Sequence, residues 1–231
     1  MSVGIDEALS EVEKGKEKAI GLRNRERYND ALKILMGITN DLTRRLQDQD
    51  FESNTSNDDR MRLRVALADS FGMIGGVYRR MGDLATALDF YEKGLVFEEE
   101  DEVSTYNMVN TISLSIIERR MSPSTPPLRE RIARVVESLR EKTGKFDGSR
   151  SDEWWAWVDL AQFQLLSGDQ IGAEKSITDG LSQNPDSENV RRSMTLLGEL
   201  ANSLPGSLSA IKASMDYVIA KLGAYVYSND G

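Results

Sequence analysis

The sequence predicts an all-α fold, an α-solenoid of about five antiparallel helix hairpins. Three observations lead there. "GDLATALDFYEKGL" (Gly82–Leu95) and "GDQIGAEKSITDGL" (Gly168–Leu181) share a Gly-Asp start, an Ala at the sixth place and a Gly-Leu close. Apolar residues before and within both copies recur at helical spacing. No strand-like alternation and no low-complexity tract interrupts the rest. The expectation is one solenoid over 1–227, with repeats at roughly 5–46, 60–98, 102–142, 153–184 and 187–224. Residues 228–231 read as a disordered tail.

The elements follow in order. In the first hairpin, Ala19 and Leu22 mark one helix and Tyr28, Ala31 and Leu35 the next. Gly15 falls there where the repeat wants a large residue. Gln47–Asp59 reads as a polar loop. In the second hairpin, Phe71, Ile74, Gly75 and Tyr78 share a helical face. Gly82 is able to stop that helix at positive φ, and Asp83 caps the helix of Leu84, Ala87, Leu88, Tyr91 and Leu95. Ala87, Gly75 and Gly76 are small where helices cross, so axes approach closely. Gly72 and Gly76 resemble a membrane dimer motif, but Asp69, Arg79 and Arg80 share their helix, so close packing is the reading.

The interval between the two copies holds one further hairpin with an extension. Tyr106, Val109, Ile112 and Ile116 mark its first helix; Thr125 as cap and Pro126 in the first turn open its second. That capping role is also the reading of the Pro-rich "SPSTPP". The extra residues fall in Ser122–Pro127 and Thr143–Glu153. In the fourth hairpin Trp157, Leu160, Ala161 and Gln164 precede Gly168; Ala173, Ile177, Gly180 and Leu181 follow, and Asn184-Pro185 ends the helix. Val190, Met194, Leu197 and Leu200, then Leu208, Ile211, Met215, Val218, Ile219 and Leu222, form a last pair broken at Leu204-Pro205-Gly206. Without the motif, this pair is suited to closing a stack.

Composition narrows the chemistry. The 231 residues are 39% apolar and 29% charged, an ordinary balance for a chain with a packed core. The net charge of −9 disfavours nucleic acid and anionic membranes as partners. There is no Cys and no His, so disulfides, thiolate metal sites and the commonest nucleophile–base arrangements are excluded. No apolar segment approaches the ~20 residues that span a bilayer. A charged beginning without an apolar stretch makes the cytoplasm the expected location.

The spacing around Gly82 and Gly168 resembles the tetratricopeptide repeat, whose unit runs over ~34 residues. Phe71, Ile74, Gly75, Tyr78, Ala87 and Tyr91 fill its pattern in one copy; Trp157, Leu160, Ala161, Ala173, Ile177 and Pro185 fill it in the other. The departures are Gly94 and Gly180 for a usual Ala, Gln164 for the Tyr, and Glu99 for the Pro. The resemblance implies a right-handed superhelix and a non-catalytic interaction module, an adaptor, scaffold or sensor subunit. The first helix of each hairpin would line a concave groove that takes a peptide or partner helix. By register that groove receives Arg79 and Arg80, then Tyr106, Asn107 and Asn110, then Trp155, Val158 and Gln162. Asn amides hold a peptide backbone through donor and acceptor, and arginines pair with carboxylates. A family subset clamps chaperone carboxylates, but only Lys16 matches its five places; Ile20, Met73, Val103 and Asn107 do not. Lys16 then reads as a solvated helix lysine.

The expected partner is therefore another protein or peptide, with no nucleic acid, no membrane, no cofactor and no metal. Three rivals stand beside this. One is a sensor in a multi-component signalling or defence system that recognises a small ligand. Another is self-association through the acidic run and the tryptophans. The third is a carboxylate enzyme, which needs paired Asp or Glu from different helices. The run Glu98–Glu102 and the stretch Asp147–Glu153 read as solvated surfaces. Among the tryptophans, Trp157 is expected in the core and Trp155 as an exposed anchor.

Overall fold

The computed structural model describes residues 4–48, 55–101, 105–119, 121–144 and 153–230, with 99–101 as backbone alone. The acidic run beyond Glu98, the stretch 147–152 and Val103 thus lie outside the described side chains. The described residues form ten α-helices and no strand. They are α1 (Ile5–Arg23), α2 (Tyr28–Gln47), α3 (Asn57–Arg80), α4 (Leu84–Asp101), α5 (Tyr106–Ile117), α6 (Pro126–Thr143), α7 (Trp154–Leu166), α8 (Gln170–Leu181), α9 (Ser187–Ser203) and α10 (Ser209–Asp230). A 3-10 turn, Gly206–Leu208, joins the last two. Packing divides the chain into two compact units, Met1–Thr111 and Ile112–Gly231, and the boundary falls inside α5.

The architecture is all-α, with helices packed in neighbouring pairs as in an α-solenoid. In the first unit α1 packs on α2, α2 on α3 and α3 on α4. Ala19, Ala31, Leu32, Leu35, Ile74 and Val77 form one buried cluster there. Val12, Leu42, Leu63, Ala66 and Leu67 form another. Phe90 stacks on Tyr78 with centroids 5.5 Å apart, continuing the apolar stripe. In the second unit α6 packs on α7, α7 on α8 and α9 on α10. Here α7 is buried nearly all round, against α6, α8 and α10.

One turn recurs three times. Gly82 and Gly168 adopt φ of +81° and +86°. The Asp83 amide donates back to the Tyr78 carbonyl at 3.0 Å, and that of Asp169 to Gln164 at 2.8 Å. These bonds satisfy carbonyls that a helix end leaves over. Each Asp then caps the next helix, accepting from Thr86 at 3.1 Å and from Gly172 at 2.9 Å. The third instance has neither residue type. Glu26 takes φ of +59°, and the Arg27 amide donates to Leu22 at 3.0 Å. A side chain at positive φ is disfavoured by roughly 1 kcal/mol, which the fixed hairpin tolerates. Glu26 thus stands where Gly82 and Gly168 do, and the register of the first hairpin follows.

In that register Ala31, Ala87 and Ala173 coincide, and all are fully buried. Leu35, Tyr91 and Ile177 coincide, as do the first-helix positions Ala19, Gly75 and Ala161, and the Tyr91 ring faces Gly75. The largest of the three residues faces the smallest. A Cβ at Gly75 would stand 3.0 Å from the Tyr91 ring. Gly75→Ala should therefore lose about 1–2 kcal/mol despite its better helix propensity, because overpacking outweighs it. Adding Tyr91→Leu should restore most of that loss, giving the Ala–Leu pair of the first hairpin. A double-mutant cycle in urea checks this; purely additive effects would refute the trade.

Several boundaries depart from the sequence reading. α3 starts at Asn57 rather than after Asp59, because Ser56 Oγ accepts from the Asp59 amide at 3.1 Å. Asp58 and Asp59 sit in its first turn and Arg79 and Arg80 in its last, both suited to the helix dipole. Thr125 precedes α6 but makes no side-chain cap; its hydroxyl donates to the Ser122 carbonyl at 2.9 Å. The tail expected to be disordered from Ser228 is helical through Asp230. Asn229 Nδ2 donates to the Tyr225 carbonyl at 2.8 Å, and Asp230 pairs with Arg191.

Candidate functional site

The end of α3, the middle of α4 and the first turns of α5 converge in the first unit. Glycines make this possible. A Cβ at Gly72 would lie 2.7 Å from Asn107 Oδ1, and one at Gly94 only 2.5 Å from Asn107 Nδ2. The Asn107 side chain is thus wedged between two helices and has no exposed surface. Its amide donates to the Ala68 carbonyl and to Glu98 Oε1, each at 3.1 Å. The sequence reading offered Asn107 to a partner; the structure turns it inward, because both its neighbours lack a Cβ.

Glu98 completes this wedge. It is buried, although it opens an acidic run expected to be solvated. Its Oε1 accepts from the Asn107 amide at 2.8 Å and its Oε2 from the Met108 amide at 2.9 Å. A carboxylate here meets the unpaired N–H groups and positive end of α5. One signal was available in the sequence. Tyr91, Leu95 and Glu98 follow helical spacing, so Glu98 continues a buried stripe.

Above the wedge lie the residues that reach solvent. Tyr106 is 42% exposed, and its ring meets buried Tyr91 edge-on with centroids 6.0 Å apart. Burial pushes the Tyr91 hydroxyl well above its usual range, and Tyr106 adds to this; the charges of Arg79 and Arg23 pull the other way. Arg79 Nη1 donates to Asn110 Oδ1 at 3.0 Å, while Asn110 Nδ2 donates to the Tyr106 carbonyl at 2.9 Å. Asn110 is itself buried, so its role is to hold Arg79 rather than to grip a partner backbone. Arg80 is exposed beside it. Four expected residues, Arg79, Tyr106, Asn107 and Asn110, therefore do come together, but only Arg79 and Tyr106 among them face outward.

Trp155 and Gln162 belong to the second unit. Trp155 is 38% exposed. Gln162 and Val158 are buried, and Gln162 Nε2 donates to Ser113 Oγ at 2.7 Å. The groove position expected for both is corrected by this packing of α7. Trp154 fills the core, with Nε1 donating to Ser193 Oγ at 3.1 Å, whereas Trp157, expected there, is half-buried. Gly180 explains the arrangement: a Cβ there would stand 2.8 Å from Trp157 Cβ and 3.0 Å from the Trp154 ring. Gln164, in place of the motif Tyr, accepts from Ser176 Oγ at 2.8 Å. Lys16 is buried rather than solvated, pairing with Glu13 at 2.8 Å and Asp69 at 3.4 Å.

Among the described residues no helix is long and apolar enough to cross a membrane. No protein-family model, no curated protein and no solved structure matches the chain.

Proposed function

We propose that this chain is a non-catalytic, tetratricopeptide-like interaction module that binds a peptide or partner helix through the α3–α5 face. The observation that carries the reading is the half-exposed Tyr106, its ring packed over Gly72 and Tyr91, beside the Asn110-anchored Arg79. An aromatic ring and an arginine are the residue types that dominate binding energy at interfaces. The recurrent turn at Glu26, Gly82 and Gly168 supports the repeat register on which the family reading rests. Cytoplasmic location fits the acidic, cysteine-free composition.

Immobilised protein should capture a defined partner from native lysate, identified by mass spectrometry. Tyr106→Ala should then weaken the purified complex by at least about tenfold while leaving helicity by circular dichroism unchanged. Equal affinity for the wild type and the variant would remove this face as the interface.

A further inference from the structure

α10 carries apolar side chains on two opposite sides. Met215, Val218 and Leu222 are buried on one. On the other, Ala210, Ala213, Tyr217, Ala220, Ala224 and Tyr227 are all exposed and stand alternately three and four residues apart. Tyr217 is 51% exposed and Tyr227 86%. This spacing keeps one seam along the helix, the pattern by which two helices pair side by side. Exposed Ile171 widens the seam at its start, since the neighbouring Gln170 accepts from Ser214 Oγ at 2.9 Å. The end helix of a stacked array needs a polar outer face to stand alone in water. α10 has an aromatic and aliphatic one.

Size and charge both fit a second copy of the same helix, running antiparallel. Aligned so, Tyr217 stands opposite Ala220 of the second copy, Tyr227 opposite Ala210 and Ala213 opposite Ala224. Each ring meets a methyl group, so the two axes keep an even separation. Asp216 and Asp230 flank the seam on one side and Lys221 on the other. In this register Asp216 comes beside Gly223 of the second copy and Lys221 beside Ser214. Asp230, held by Arg191 of its own copy, comes beside Ser209 at the start of the other α10. That helix has no acidic residue in its first turn, so the second copy supplies the carboxylate its positive end lacks. Sliding the pair by one heptad would set Asp216 against Asp216 or Lys221 against Lys221. A parallel pair would join Asp216 to Lys221, but would set each tyrosine against its own equivalent and hold the alanines apart. Exposed ion pairs contribute too little to offset that loss of packing.

We propose that two copies of this chain associate through the outer faces of α10, antiparallel about a twofold axis, with Tyr217 of each against Ala220 of the other. The contact is isologous, so it closes at the dimer. Four alanines and two tyrosines per copy bury less than the roughly 1,600 Å² of a standard interface, so the dimer should be weak, with a Kd on the order of 10–100 μM. The inference is independent of the interaction-module reading.

Sedimentation equilibrium of the whole chain tests the association. The mass should rise from 25.8 kDa toward twice that value as concentration passes through the order of 100 μM. Tyr217→Glu and Tyr227→Glu should each stay monomeric with unchanged helicity by circular dichroism, because both side chains are largely in solvent in the single copy. A wild type that remains monomeric, or a dimer that survives both variants, overturns the proposal. Orientation is read by disulfide cross-linking, which the absence of native cysteine makes clean. Ala213→Cys is mixed with 15N-labelled Ala224→Cys and oxidised. Linked dimers should carry one labelled and one unlabelled chain. Linked dimers formed mainly within each variant would show a parallel pair and overturn the proposed packing. A Tyr217→Glu monomer that keeps full affinity for a captured partner leaves the interaction-module reading standing. A wild-type dimer whose partner is indifferent to Tyr106→Ala does the reverse.

Discussion

Glu98→Ala should lower the unfolding free energy by about 4 kcal/mol, the largest loss expected from any single polar residue of the first unit. The carboxylate receives three N–H groups: the amides of Asn107 and Met108 and the side-chain Nδ2 of Asn107. Truncation leaves two buried backbone donors at the start of α5 without acceptors, each destabilising by roughly 1–3 kcal/mol. It also opens a void beside Asn107. Glu98→Gln keeps an acceptor oxygen but removes the charge, and should lose about half as much. Urea unfolding measures both, and a loss below about 1 kcal/mol for the Ala variant would show that α5 does not depend on this cap. A second readout locates the effect. Hydrogen exchange at the Met108 amide should accelerate more than at Ile74, which lies in the α1–α3 core. Since Tyr106 and Asn110 ride on the same first turns of α5, partner affinity should fall with this variant although Glu98 is itself buried.

Trp154→Ala should lower stability by about 4 kcal/mol, as expected for a buried tryptophan whose neighbours cannot collapse into the space. The ring lies against Gly180 and its indole N–H donates to Ser193. Trp154→Phe retains most of the apolar volume and should lose about 1–2 kcal/mol, which isolates the hydrogen bond and part of the ring. Trp155→Ala, one residue away, should change stability by less than about 1 kcal/mol, because over a third of that side chain is in solvent. Thermal unfolding followed by circular dichroism ranks the three. A Trp155 variant as damaged as the Trp154 one would contradict this division of the adjacent rings.

The turn chemistry explains how much of the site was legible. Gly82-Asp83 and Gly168-Asp169 announce a left-handed residue followed by a cap, and both form as their residue types require. The equivalent turn at Glu26-Arg27 has neither type, so the first hairpin could be placed only roughly. The repeat register placed Tyr106 and Trp155 toward solvent, and both are partly exposed. It failed for Asn107 and Gln162 for one shared reason. Periodicity identifies a face of a helix, and a polar residue on such a face reads as solvated unless a partner is in view. Their partners, the Ala68 carbonyl and the Ser113 hydroxyl, are 39 and 49 residues away in the chain. Lys16 misled in the same way, since Asp69 lies 53 residues on.

The sequence alone thus determined the helical class and the two Gly-Asp turns, because each depends on contacts within a few residues. Only the tertiary structure decided which polar side chains were buried. Desolvating an amide or a carboxylate is tolerated only where donors and acceptors from distant segments meet it, and that matching exists only once the helices are packed.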